Sequence, residues 1–188
     1  MSMRRDKSKY IVAALSAVVM FSLPLAAVAQ DGAGDLLEEL GSAQNEAQAQ
    51  RIEKALFMEW SKSGSAAMDL LLKRGRDALE INDTGAAIEH LTALTDHAPE
   101  FAEGWHTLAL AYYQAEMIGP SMDALEHALA LNPQHFGALR GVGSVHEQLG
   151  NDALAYDAYT QVLELRPFDE QVTEALERLS GRVQGTEI

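Results

Sequence analysis

Six histidines and one glycine-serine segment are the residues whose types could support metal binding or catalysis. No two of the histidines stand two or four positions apart, the spacing of ligand pairs on a strand or a helix. They are His90, His97, His106, His127, His135 and His146. The segment Gly141-Val142-Gly143-Ser144 has the composition of a phosphate loop or a serine nucleophile turn, but it lies inside a predicted helix. We therefore expect no metal, no cofactor and no enzymatic activity.

The absence of cysteine narrows the chemistry further. It excludes disulfides, thiolate zinc ligands, thiol nucleophiles and a lipid-modified cysteine at a mature N-terminus.

Residues 1–29 have the organisation of a bacterial export signal. A basic stretch precedes an apolar run from Ile11 to Leu25, and Ala27-Val28-Ala29 has the small residues that a signal peptidase accepts. Pro24 favours cleavage after Ala29, because it ends the helix before the cleavage site. The alternative is an uncleaved anchor, and the twin-arginine route is a weaker option because only Arg4-Arg5 fits that motif. Each reading predicts a periplasmic location, with membrane attachment only if the segment is retained.

The exported part is strongly acidic. Removing residues 1–29 takes four of the 14 basic residues and one of the 28 acidic ones, which leaves a net charge of −17. Such acidity argues against a nucleic-acid partner, because affinity for the phosphate backbone comes from Lys and Arg. The acidic residues indicate a solvated outer face, or alternatively a landing site for a basic partner.

Prolines reveal the elements that must position these side chains. Pro99, Pro133 and Pro167 stand 34 residues apart and define three units, residues 68–101, 102–135 and 136–169. Apolar residues recur at helical spacing twice in each unit, so each unit is predicted to be a pair of antiparallel helices. Small residues recur at the eighth and twentieth positions, where the two helices must approach closely; they are Gly75, Ala87, Ala109, Gly143 and Ala155. Ser121 stands where the middle unit would have alanine.

This pattern resembles the tetratricopeptide repeat (TPR) over about 100 residues. In the middle unit Trp105, Leu108, Ala109, Tyr112, Ala128 and Pro133 take the family's large, leucine, small, aromatic, alanine and proline positions. The resemblance implies an all-α fold, a short right-handed solenoid of helical hairpins. The whole chain is similar to small secreted alphaproteobacterial proteins of this repeat type.

Each end of such a solenoid needs a cap, because a hairpin leaves an apolar face that only a neighbour covers. Residues 30–67 are predicted to form a degenerate helical hairpin that caps the first repeat. Residues 170–188 are predicted to supply a capping helix and a tail, with Val172, Leu176 and Leu179 on its apolar face.

The resemblance also implies a binding groove on the concave face, formed by the first helix of each unit. The family's exposed groove positions fall here on Asp69, Leu72, Arg76, Glu103, His106, Leu110, Tyr113, Arg140, Ser144 and Glu147. Apolar anchors beside arginines suit a peptide or helix that carries apolar side chains and a carboxylate. In the alternative interpretation, Leu72, Leu79 and Leu110 are partly buried against the neighbouring hairpin and only the polar positions face solvent.

Some family members clamp the C-terminal carboxylate of chaperones with lysine, asparagine and arginine. The corresponding positions here are Leu72, Arg76, Gly137 and Gly141, so this clamp is absent. The expected function is therefore a periplasmic protein-interaction module, an adaptor or assembly factor that binds a protein or peptide partner rather than a small-molecule substrate. The alternative is a structural subunit that associates with itself.

Overall fold

The computed structural model describes the backbone of residues 26–184 and the side chains of residues 32–183. Most of the predicted export signal, residues 1–25, lies outside the described part, as does the end of the predicted tail, residues 185–188. The described part is all-helical. Its helices are α1 (Ala26–Gly41), α2 (Glu46–Trp60), α3 (Ala66–Glu80), α4 (Thr84–His97), α5 (Ala102–Gln114), α6 (Ile118–Leu131), α7 (Phe136–Gln148), α8 (Asp152–Leu165) and α9 (Glu170–Gln184). Within residues 26–184, no helix has the length and apolar composition needed to cross a bilayer.

Three helical hairpins occupy the three 34-residue units, as the sequence predicts. They are α3–α4, α5–α6 and α7–α8, and each second helix packs against the first helix of the following unit. The turn inside each hairpin needs one left-handed residue at the same position of the unit, which is Asn82 (φ 58°), Glu116 (φ 58°) or Gly150 (φ 75°). Asn and Gly accept this conformation readily, whereas glutamate pays a steric cost because of its Cβ.

The predicted close approach within the hairpins is present. A Cβ added at Gly143 would lie 2.5 Å from Cε1 of Tyr159, so α7 and α8 touch across this position. Ala87, Ala109 and Ala155 are fully buried at the equivalent places. The serine of the middle hairpin is accommodated because the hydroxyl of Ser121 donates a 2.9 Å hydrogen bond to the carbonyl oxygen of Ala109.

Helix α9 covers the last repeat. Val172 and Leu179 are buried and pack with Leu139 and Val162 of α7 and α8. The carboxylate of Asp169 accepts a 3.1 Å hydrogen bond from the amide of Val172 and so caps the start of the helix.

The N-terminal hairpin, α1–α2, does not continue the stack before α3. It has a small core of its own, formed by Leu40, Ala43, Ala49, Ile52 and Leu56. Its side chains contact the solenoid along the edge where α5, α7 and α9 begin, next to Phe136 and Arg166. The hairpin expected as a cap on the first repeat therefore folds back against the solenoid, with α1 on α8 and α2 next to Arg76, His135 and Arg166. The chain turns in the short joint, residues 61–65, where Gly64 has a φ of 80°, a conformation that glycine adopts readily.

Candidate functional site

The predicted groove positions divide into buried, paired and open residues. Leu72 is only 2% exposed and belongs to the core between α3 and α4, so it cannot contact a peptide. Asp69 accepts hydrogen bonds from the amide (2.8 Å) and the hydroxyl (2.5 Å) of Ser63 and so holds the joint before α3.

Glu103 lies at the centre of a buried polar cluster. It stands in the first turn of α5 and is 3% exposed. One carboxylate oxygen is bonded by the guanidinium of Arg76 on α3. The other lies 2.8 Å from Nε2 of His135, which is the residue before α7. Glu103 thus joins the first helices of all three repeats.

His135 has a second role, which fixes the position of its proton. Its Nδ1 accepts a 3.1 Å hydrogen bond from the amide of Ala138, as an N-cap residue does. An acceptor nitrogen carries no hydrogen, so the neutral ring carries its hydrogen on Nε2 and donates it to Glu103. Burial lowers the pKa of His135, which keeps the ring neutral, although its hydrogen bond to Glu103 opposes this shift.

His106 completes the cluster from the next turn of α5. Its Nδ1 lies 3.5 Å from Oε1 of Glu103. This nitrogen atom is buried and has no hydrogen bond of good geometry, although the side chain as a whole is 13% exposed. Its ring packs over Gly137, where an added Cβ would stand 3.0 Å from Nε2. Burial alone would raise the pKa of Glu103. The electrostatic interaction with His106, and then the hydrogen bond with His135, outweigh burial and hold this pKa far below its usual range.

Three of these side chains have the types and proximity of a metal site. One ligand atom each from Glu103, His106 and His135 lies within 4.8 Å of the others. However, Nε2 of His135 carries a hydrogen while Nδ1 accepts the backbone bond, so neither nitrogen has a free lone pair to offer. The guanidinium of Arg76 also forms an ion pair with the carboxylate of Glu103, and this positive charge opposes the binding of a cation there. The arrangement therefore suits a structural hydrogen-bond network better than a metal centre.

The open part of the groove lies between α5 and α7. A small cavity of about 110 Å³ is lined there by Leu110, Tyr113, Gly137, Arg140, Gly141 and Ser144, with Leu125 and Ser121 beneath. Leu110 is 38% exposed and the side chain of Arg140 is 44% exposed. Arg140 lies 3.9 Å from the carboxylate of Asp169, a distance that leaves its guanidinium free to bond another acid.

The last two predicted groove residues already have partners. The hydroxyl of Ser144 donates to the carbonyl oxygen of Arg140 at 3.0 Å and lies 3.2 Å from the hydroxyl of Tyr159. Glu147 is bonded by two arginines of α9, Arg178 at 3.0 and 3.1 Å and Arg182 at 2.9 Å. Burial alone would raise the pKa of Glu147, but these hydrogen bonds lower it, so it remains a carboxylate that ties α7 to α9.

Helix α2 adds contacts that the sequence pattern did not indicate. The ring of Trp60 stacks on His135 with centroids 4.5 Å apart, and the guanidinium of Arg76 lies 4.3 Å from the ring centre of Phe57. Glu53 forms an ion pair with Arg166 at the end of the third repeat. No local signal could have found these residues, because the repeat pattern begins only at residue 68.

Comparison with known proteins settles the family. A family model described as tetratricopeptide repeat matches residues 72–116 and 122–170, and a second model with this description matches residues 102–135. The chain belongs to the tetratricopeptide repeat family. A TPR repeat-containing protein of Rhizobium etli is 30% identical over 150 residues, which are 80% of this chain and 74% of that protein. Because residues 68–188 make up less than two thirds of the chain, this similarity extends into the N-terminal hairpin.

Solved TPR structures share the fold at low sequence identity. The first TPR domain of Spaghetti (RPAP3), bound to the HSP90 peptide SRMEEVD, has a TM-score of 0.62 at 23% identity; the match covers 64% of this chain and 95% of that one. The NMR structure of the first TPR domain of human RPAP3 gives a TM-score of 0.61 with the same identity and coverage. The MamA protein has a TM-score of 0.58 at 21% identity, and 82% of each chain is covered. At these identities, the likeness concerns the TPR fold.

Proposed function

We propose that this TPR protein is an interaction module that binds a peptide or helix of a partner protein in the groove between α5 and α7. The observation that carries the proposal is the cavity in which Leu110 and Tyr113 are presented beside the half-exposed guanidinium of Arg140. An apolar side chain of the partner would fill the cavity and a carboxylate would bond Arg140.

Charged groups near the cavity limit which peptides fit. The RPAP3 domain carries an acidic HSP90 peptide, but the groove here lacks the clamp residues of chaperone-binding TPR domains. Arg76 is bonded to Glu103 and Ser61, so Arg140 is the arginine that the groove presents at the cavity. A partner segment with one carboxylate next to one apolar residue suits this arrangement better than a strongly acidic tail.

An enzymatic role has no support among the described residues. Ser144 has no histidine or carboxylate within hydrogen-bonding distance, since its contacts are with Arg140 and Tyr159. The histidine-glutamate pair nearby is buried beneath Trp60 and already uses its donors and acceptors. We therefore propose a binding protein without catalytic activity.

The proposed setting is the periplasm, where the protein would act as an adaptor or assembly factor of the cell envelope. The support for this is the sequence of residues 1–29, with its basic start and its small residues at the cleavage site. Fractionation of cells that express the full chain tests the location, and N-terminal sequencing of the recovered protein distinguishes cleavage after Ala29 from a retained anchor.

Photocrosslinking in living cells tests the groove. A photoreactive amino acid replaces Tyr113, and a matched control places it at Gln161, an exposed position on α8. We expect a specific protein adduct from position 113, loss of that adduct when Arg140→Glu is added, and none of it from position 161. Adducts that are identical at both positions, or unaffected by Arg140→Glu, would reject the groove. Adducts with a second copy of the chain alone would favour the self-associating subunit, and light scattering of the purified protein would then show a dimer.

A further inference from the structure

Three side chains of α2 dock on the solenoid from one face of the helix. Glu53, Phe57 and Trp60 follow one another at spacings of four and three residues, which place them in one row. Each meets a receiving group on the solenoid: Arg166, Arg76, and the His135 and Phe136 rings, respectively. The row thus combines one carboxylate with two aromatic rings, and its receiving surface combines two guanidinium groups with two rings.

The contact between the hairpin and this surface is only partly closed. Leu40, Ile52 and Leu56 are buried mainly within the hairpin, with Phe136 of α7 packed against their cluster, and α1 also lies against α8. An open cleft of about 380 Å³ lies between the hairpin and the solenoid, lined on one side by Leu37 and Trp60 and on the other by Phe101 and His135. Phe57 is still 49% exposed although it lies against Arg76. Side-chain contacts beside an open cleft can separate without unfolding the solenoid.

We propose that the surface under α2 is a helix-binding surface and that α2 is its built-in occupant. The partner is an amphipathic helix that carries a carboxylate and two aromatic residues at the spacing of Glu53, Phe57 and Trp60, and it binds by displacing α2. The receiving groups support this choice, because Arg166 bonds the carboxylate of Glu53 and Arg76 lies over the ring of Phe57, while each arginine also bonds an acid of the solenoid. Because α2 is tethered by the short joint of residues 61–65, it competes at a high effective concentration and selects against weak ligands.

This inference does not need the cavity beside Tyr113 to bind a peptide. It concerns the edge where α5, α7 and α9 begin, and it adds a competitor that belongs to the chain. Failure of the crosslink at position 113 would therefore not contradict the helix-binding surface under α2. Failure of the peptide-binding test would likewise not contradict the groove between α5 and α7.

The test uses the full-length protein and a fluorescent peptide with the sequence of residues 44–65 as the probe. In the variant Glu53→Ala/Phe57→Ala/Trp60→Ala the built-in helix has lost its docking side chains. We expect the probe to bind this variant at least about tenfold more tightly than it binds the wild-type chain, because the tethered competitor is gone. Met58→Ala is the matched control, since Met58 is on the same helix and 60% exposed, and it should behave like the wild type. A probe with Trp60→Ala should bind neither protein.

Two results would overturn the proposal. Equal affinity of the probe for the wild type and the triple variant would mean that α2 does not occupy the site. Lack of binding to the triple variant up to about 1 mM probe would mean that no helix site exists at the concentrations a tether provides.

A measurement on the wild-type chain keeps the proposal testable if the triple variant does not fold. Hydrogen exchange should show the amides of α2 opening at a lower free energy than those of α7, because an open cleft and the half-exposed ring of Phe57 leave the contact of α2 incompletely packed. Adding the probe should speed exchange in α2 and leave α5–α8 unchanged. Exchange in α2 as slow as that in α7 would show that the hairpin is an integral part of the solenoid, and the proposal would fail.

Discussion

Replacing Glu103 with glutamine tests whether the buried cluster stabilises the fold. Glutamine has almost the same shape as glutamate, but one of its two terminal groups is a donor. Both neighbours of the carboxylate are donors, namely the guanidinium of Arg76 and the Nε2 hydrogen of His135. Either orientation of the amide therefore places an NH₂ group against one of these donors.

The size of the effect follows from the bonds that change. A hydrogen bond to a charged group contributes about 1.5–3 kcal/mol, and an unsatisfied buried group costs a similar amount. We expect Glu103→Gln to lower the free energy of unfolding by about 3 kcal/mol. With a urea m-value of about 2 kcal/mol/M, the midpoint of unfolding falls by about 1.5 M.

Urea unfolding followed by circular dichroism is the assay. Glu126→Gln is the control, since Glu126 is exposed on α6, and it should change the stability by less than about 0.5 kcal/mol. A double-mutant cycle with Arg76→Met should give a coupling energy above about 1 kcal/mol, because the two side chains share a bond. A Glu103→Gln protein within about 0.5 kcal/mol of the wild type would refute the reasoning, and so would an additive cycle.

Two further predictions concern packing and pH. Gly143→Ala should destabilise the fold by about 1–3 kcal/mol, because its Cβ would stand 2.5 Å from the ring of Tyr159. The control is Gly119→Ala, which should not destabilise the fold because nothing lies within 4 Å of the added Cβ. Equal thermal melting temperatures of the two variants would contradict the packing argument. Stability should also fall as the pH drops below about 6.5, because the folded pKa of His135 lies below its ordinary value of 6.5 and only the unfolded chain takes up that proton. The slope is at most about 1.4 kcal/mol per pH unit for one proton. His135→Asn, which keeps an N-cap acceptor, should flatten this part of the profile in urea melts from pH 7.5 to 5.5, and an unchanged slope would show that another group titrates.

The repeat architecture could be predicted from the sequence because each of its contacts recurs. Pro99, Pro133 and Pro167 mark the period, and small residues such as Gly143 mark the points where two helices touch. These contacts join neighbouring helices, so the residues that make them keep a fixed spacing. The same regularity explains why the apolar face of α9 could be recognised as a cap.

The groove could be predicted only in part. The family positions include Leu110, Tyr113 and Arg140, which line the open cavity, but also Leu72, which is buried, and Glu103, which is enclosed by its partners. Whether a groove position is open depends on what packs over it, and that information lies elsewhere in the chain.

The sequence by itself therefore determined the helical hairpins, their order and the interior that joins them, since those contacts are local and repeat every 34 residues. The tertiary structure alone decided the rest. It placed Glu103 next to His135, 32 positions away, and Glu53 next to Arg166, 113 positions away. The Glu53–Arg166 pair depends on the turn before α3, which folds the hairpin back over the solenoid, and no periodic pattern encodes that direction.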